Sequence, residues 1–197
     1  YYKFFKELEN VWQDVPPYVE LLRHFSAEGL RRARVPMRWL SELDGLMVCA
    51  QARETDSEQR RVQGIMEQPR EPWPEQLIVG YYRMLQSRLA AGDISLRSTR
   101  LALRSASDLL GHSRLKAGAM VDQKALDSYW RKSPGAVASV TGFIGYLNRV
   151  YSAGLNSRPD ANWARQQKLA KRERELVELL PQRDETSDFE SRWIAKA

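Results

Sequence analysis

Residues that carry chemistry are scarce in this chain. Of its 197 residues one is cysteine, Cys49, and two are histidine, His24 and His112. A lone cysteine closes no internal disulfide. Cys49, inside the apolar stretch GLMVCA, is therefore expected to be a buried structural thiol in a reducing, cytoplasmic setting. Neither histidine has a second histidine or a cysteine at ligand spacing, so no metal site is expected, and no cofactor. There is no run of about 18 apolar residues, which excludes a transmembrane helix and with it a membrane partner of that kind. The opening YYKFFKELEN is not a signal peptide, and Tyr1 in place of Met points to a trimmed or processed chain. Apolar residues nowhere alternate with period two for long enough to form a sheet. The fold class that remains is all-α. Acidic residues are common, but none is paired with a histidine, so a self-contained enzyme has little support.

What the chain does have is positive charge, unevenly placed. The net charge is +6. Residues 1–74 carry 11 Lys/Arg against 12 Asp/Glu, residues 155–197 carry 9 against 8, and residues 75–154 carry 11 against 5. The excess lies in the middle segment, and excess of this kind favours a polyanionic partner.

Proline marks the start of that segment. QPREPWPEQ holds Pro69, Pro72 and Pro74, which neither a helix interior nor a central strand tolerates. A boundary is expected there, giving an N-terminal helical module over 1–74, a helical domain over 75–154 and a helical extension over 155–197. Upstream, VPPYVELLRHFSAEGL reads as a helix with Leu21, Leu22 and Phe25 on one side. VPMRWLSELDGLMVCAQA repeats Met37, Leu40, Leu43 or Asp44, and Met47 at helical steps. SEQRRVQGIMEQ reads as a shorter, weaker helix. Downstream, four helices are expected. The first runs from Glu75 to Ala91, with Gly92 as its stop. The second is ISLRSTRLALRSASDLL, capped by Asp93 or Ser95. The third is VDQKALDSYWRK, capped by Asp122. The fourth, SPGAVASVTGFIGYLNRVYSAGL, opens at Ser133 and Pro134 and stops at Gly154. Gly142 and Gly145 in its interior predict close approach of another backbone. The terminal segment reads as a solvated, charge-dense helix broken at Pro181.

The second of these helices raises the functional question. At about 100° per residue, Arg97, Arg100 and Arg104 fall within about 60° of one another. Leu96, Thr99, Leu103, Ala106 and Leu110 occupy a different arc. A helix that buries those apolar residues turns the arginines outward, and the stretch contains a single acid, Asp108. Ser98, Ser105 and Ser107 lie between, as short donors that leave room for close approach. Unpaired arginines suit phosphate, since the guanidinium presents a planar fork to its oxygens. Arg83, Arg88, Arg114, Lys116, Arg131 and Lys132 share the segment. The cluster Arg31, Arg32 and Arg34 is a lesser candidate for phosphate contact.

Residues 75–154 resemble the N-terminal core-binding (SAM-like) domain of tyrosine recombinases, the phage-integrase family. The resemblance rests on Tyr81, Tyr82 and Leu85 in the first helix, and on Ser95, Thr99, Leu103, Ala106 and Leu110 in the second. Asp122, Leu126 and Tyr129 carry it in the third, and the run from Ser133 to Gly154 in the fourth. ELVELLP, from Glu175 to Pro181, is similar to the start of the catalytic domain in such enzymes. The resemblance implies a helical bundle that grips double-stranded DNA as one half of a clamp. It implies no catalysis here: His24 is followed by FSA and His112 by SRL, so there is no His-x-x-Arg, and the tyrosines stop at Tyr151. No catalytic residue is assigned.

The expected function is thus a DNA-binding module of a site-specific recombinase or integrase-like protein, with self-association or a recombinase as a further partner. Arg97, Arg100 and Arg104 would be the principal phosphate contacts, helped by Ser98, Arg88, Arg114, Lys116, Arg131 and Lys132. About five phosphate contacts predict that log K falls against log salt with a slope of about −4 to −5. The alternative is a protein-interaction scaffold. Trp12, Trp39, Trp73, Trp130, Trp163 and Trp193 make it credible, since exposed tryptophans favour interfaces, although most of the six are expected in the core.

Overall fold

A computed structural model describes residues 1–12, 14–179 and Ile194. Among these residues all regular secondary structure is helical. The helices are α1 (Tyr2–Val11), α2 (Tyr18–Arg32), α3 (Arg34–Leu43), α4 (Ala50–Met66), α5 (Pro72–Ala90), α6 (Leu96–Ser113), α7 (Gln123–Lys132), α8 (Val137–Tyr151) and α9 (Ala161–Leu179). Pro181, its expected helix break and Trp193 lie outside the described residues. The chain divides into two compact units, residues 1–107 and 108–197, so the division falls inside α6. No described helix is long and apolar enough to cross a membrane.

In the first unit α2 packs against α3 and α4. Leu8, Tyr18, Leu21, Leu22, Leu30, Met37, Leu40 and Leu46 form its buried cluster, flanked by Phe4, Phe5, Trp12 and Phe25. Helix α1, which the sequence did not announce, contributes Phe4, Phe5 and Leu8 at helical spacing to that cluster. Helix α2 is two helices joined at Ser26, whose φ of 68° and ψ of 162° lie in a region that glycine dominates. Ser26 Oγ accepts from the Gly29 amide at 3.2 Å and so caps the second half. Asp56 of α4 accepts from the Ala27 amide at 3.0 Å.

The expected face Met37–Leu40–Leu43–Met47 holds only in part. Helix α3 ends at Leu43, and Gly45 turns the chain with a φ of 65°. Leu43 and Met47 are consequently 81% and 86% exposed. Cys49 is exposed as well. It sits at the N-cap of α4, where its sulfur accepts from the Ala52 amide at 3.4 Å. That placement corrects the expectation of a buried thiol. The weak helix expected over SEQRRVQGIMEQ is the end of a 17-residue helix, α4.

The proline-rich stretch is tied down by Arg70, whose side chain is 8% exposed. Its guanidinium donates to the carbonyls of Ile65 and Met66 at the end of α4, to Gln68, to Glu75 and to Ser107 Oγ of α6. Carbonyls at a helix C-terminus lack intrahelical donors, and one arginine satisfies two of them here. The prolines then start α5, at the position where a missing amide costs nothing.

In the second unit, Val121, Leu126, Tyr129, Trp130, Val140, Phe143, Ile144 and Leu147 are buried. Asp122 caps α7, accepting from the Ala125 amide at 2.7 Å. Helix α8 ends at Ser152, in the left-handed conformation, two residues before the expected stop. Asn148 then holds the returning chain with two 2.8 Å hydrogen bonds, one to the Leu155 carbonyl and one from its amide. A Cβ added at Gly145 would meet nothing within 4 Å, so the expected close backbone approach is not found there. Of the described tryptophans, Trp130 is buried, Trp12, Trp73 and Trp163 are half-buried, and Trp39 is exposed. That corrects the expectation that most belong to the core.

Candidate anion-binding cleft

Helix α6 buries the expected side. Thr99, Leu103, Ala106 and Leu110 are at most 2% exposed, while Leu96 stays half-exposed. Ser95 caps the helix, its Oγ accepting from the Ser98 amide at 3.1 Å. The three arginines that follow from this face have different environments. Arg97 is exposed and, among the described residues, has neither a hydrogen bond nor an ion pair. Arg104 is exposed but has an interaction of its own. Arg100 is drawn to the protein: its Nε donates to Glu58 Oε2 of α4, 42 residues away in sequence.

Glu58 is 5% exposed and also accepts from Arg61 on its own helix. Burial raises its carboxyl pKa, but hydrogen bonds from Arg100 and Arg61 outweigh that and hold it below the usual carboxylate range. The carboxylate is therefore charged at neutral pH and neutralises much of what Arg100 would offer a ligand. The interleaved serines also differ from expectation. Ser105 and Ser107 are buried, and Ser107 Oγ donates to Gln68 at 3.1 Å and accepts from Arg70. Only Ser98 remains exposed beside the arginines, with its hydroxyl 2.9 Å from Ser95.

Arg97 and Arg100 instead join a cleft of about 960 Å³ in the first unit. Its walls carry Arg31 and Arg34 from the sequence cluster RRAR, and Arg53, Arg60 and Arg61 from α4. Glu28, Glu54 and Glu58 are the acids that line it, and Tyr18, Leu30 and Met37 add an apolar and aromatic part. Seven arginines against three glutamates leave a local net charge of +4. Four of the seven are engaged internally: Arg31 by Glu28, Arg60 by Asp56, and Arg61 and Arg100 by Glu58. Arg34, Arg53 and Arg97 are exposed, and their guanidinium groups have no hydrogen-bond or ion-pair partner among the described residues.

These three come from the first turns of α3, α4 and α6, and none of those turns contains an acid. A cation near a helix N-terminus opposes the helix dipole. At α3 the negative end of α2 meets the positive end across Ala33 and offsets it, whereas at α4 and α6 the helix end and the arginine act with the same sign and favour anions. Burial raises the pKa of Tyr18, which lines the cleft, and the nearby Arg53 pulls it back down.

The remaining candidates divide between the units. Arg88 is exposed near the end of α5. Arg114, Lys116, Arg131 and Lys132 are exposed in the second unit, the last two in the final turn of α7. There Arg131 and Lys132 complement the negative end of the helix. Among the described residues no group of histidine, cysteine and acids could hold a metal ion. The cleft residues that sequence reasoning missed are Arg53, Arg60, Arg61 and Glu58. They stand in SEQRR and just before it, in a segment whose net charge gave no signal. No protein-family model, curated protein or solved structure was found to match the chain.

Proposed function

We propose that the chain is a helical nucleic-acid-binding module that holds phosphate groups in the arginine cleft of its first unit, with double-stranded DNA as the partner. The observation that carries this reading is the presence of Arg34, Arg53 and Arg97, exposed and without carboxylates, on one cleft of net charge +4. Their charge is left available to a ligand, whereas that of Arg31, Arg60 and Arg61 is met by carboxylates within the fold. The resemblance of residues 75–154 to recombinase core-binding domains extends the proposal to an integrase-like protein of DNA recombination. The exposed lysines and arginines of the second unit add non-specific attraction.

Fluorescence anisotropy on a random duplex across salt concentrations tests the reading. Neutralising about three phosphate charges gives a log–log salt slope of about −3, steeper if Arg88 and the second unit contribute. Arg53→Glu and Arg97→Glu should each weaken binding by about ten-fold or more while helicity is kept. A duplex affinity indifferent to salt and to both substitutions would refute it. A second reading, a protein-interaction scaffold, is favoured by Trp39, Leu43 and Met47, which are 47%, 81% and 86% exposed near the end of α3. Under that reading the charge reversals leave the partner's binding unchanged.

A further inference from the structure

The unpartnered arginines line one cleft from three helices and do not form a row on one. The row expected on α6 is reduced by the capture of Arg100, and the cations left without carboxylates stand on three different helices around one concavity. That difference selects the ligand. A phosphodiester inside a duplex lies on a convex surface, is flanked by sugars and presents two unshared oxygens outward. A phosphomonoester ends its chain, carries up to two charges and presents three oxygens on separate sides. Arginines approaching from several directions can each take an oxygen of the second kind of group, with the strength of a charge-assisted hydrogen bond.

Size and lining agree with a discrete group. The cleft, about 960 Å³, falls at the upper end of the range of about 300–1,000 Å³ typical of small-ligand sites. Beside the arginines it presents Val48, 48% exposed, with the edges of the core residues Leu30 and Met37 behind it, apolar surface that a strand of bare phosphates does not use. Glu54, also on the wall, has no ion pair among the described residues and suits a donor on the body of the ligand. Glu58 fits the same picture: by engaging Arg61 and Arg100 it holds one side of the cleft in place without needing the ligand.

We infer that the cleft formed by Arg34, Arg53 and Arg97 is a phosphomonoester site. It takes the terminal phosphate of a nucleic-acid strand, or the same group on a free nucleotide, in preference to the internal phosphates of a duplex. This rests on the proposed function, which it makes narrower.

The test uses the full chain and two duplexes of one sequence, one with a 5′-phosphate and one with a 5′-hydroxyl, labelled at the far end. Free adenosine monophosphate serves as a third probe. The inference expects the phosphorylated end to bind about ten-fold tighter, and that gain to vanish in Arg53→Ala and in Arg97→Ala. It should persist in Arg38→Ala, whose side chain is exposed on α3 and paired with Glu42 outside the cleft. Circular dichroism of each variant separates a lost site from a lost fold, and the two cleft variants are independent of each other. Equal, salt-sensitive binding of both duplexes would overturn the inference and leave the proposed function standing. Binding of the free nucleotide alone, lost in Arg53→Ala, would overturn duplex binding, uphold the phosphomonoester site and name its source. Binding of none of the three probes would overturn both.

Discussion

The two units solve the problem of holding short helices together in different ways. The first unit adds charge to its apolar core: Glu58 fastens α4 to α6, Asp56 fastens α4 to the middle of α2, and Arg70 closes the end of α4. In the second unit the buried residues are large and apolar, led by Trp130, Phe143, Ile144 and Leu147. A carboxylate with two arginines holds its surroundings in register but also sets the charge of the surface next to it. An apolar core does only the former. The candidate site lies beside that carboxylate in the first unit, although the sequence places more of the net charge downstream.

Substitutions at four residues would break or sharpen that contrast. The largest effect belongs to the apolar unit. Trp130→Ala should cost about 3–5 kcal/mol in urea unfolding. Trp130→Phe should cost far less, because among the described residues the buried indole nitrogen has no hydrogen-bond partner and its removal relieves that cost. Parity between the two would mean that volume is not what holds the unit.

Glu58→Ala comes next, at about 3 kcal/mol, since it leaves Arg100 half-buried without its carboxylate. The same residue sets a pH dependence. Its folded pKa is lowered, so its contribution is complete above the unfolded value of about 4.3 and is lost as pH falls through the folded value. The difference in stability between the native chain and Glu58→Gln should therefore shrink on going from neutral pH to about pH 3. A difference that stays constant would remove the ion pair from the account.

Asn148→Ala, which deletes both bonds to Leu155, should lower stability by about 1–2 kcal/mol. Smallest is Gly145→Ala. With open space around the added methyl and a helical backbone, it should stabilise the chain by up to about 1 kcal/mol, readable as a rise in Tm.

Periodic features of the fold were legible in the sequence, and features closed over a distance were not. Thr99, Leu103, Ala106 and Leu110 could be placed inside because a helix repeats its face every three to four residues, whatever it packs against. The caps Ser95 and Asp122 were legible for the same local reason. Leu43 and Met47 fitted the period but not the structure, since a glycine turn between them ended the helix first. Helix α1 was hidden in a stretch read only for targeting. The site fared worst. Arg97 and the RRAR cluster were recognised separately, but nothing local shows that they line one cleft, nor that Arg100 meets a glutamate 42 residues away. Counting charge along the chain pointed to the segment with the largest excess. The cleft takes five of its seven arginines from the segment that is slightly acidic.

The break at Ser26 has a bearing on all of this. A continuous helix from Tyr18 to Arg32 would keep the Ala27 amide inside its own ladder and leave Asp56 with nothing to hold there. By interrupting the ladder once, the chain gains freedom to aim residues 27–32 independently of residues 18–25, and Glu28, Leu30 and Arg31 reach the cleft wall on that second heading. The hinge-like serine thus acts as a sighting adjustment, set early in the chain, for a mouth whose other side is contributed some seventy residues later.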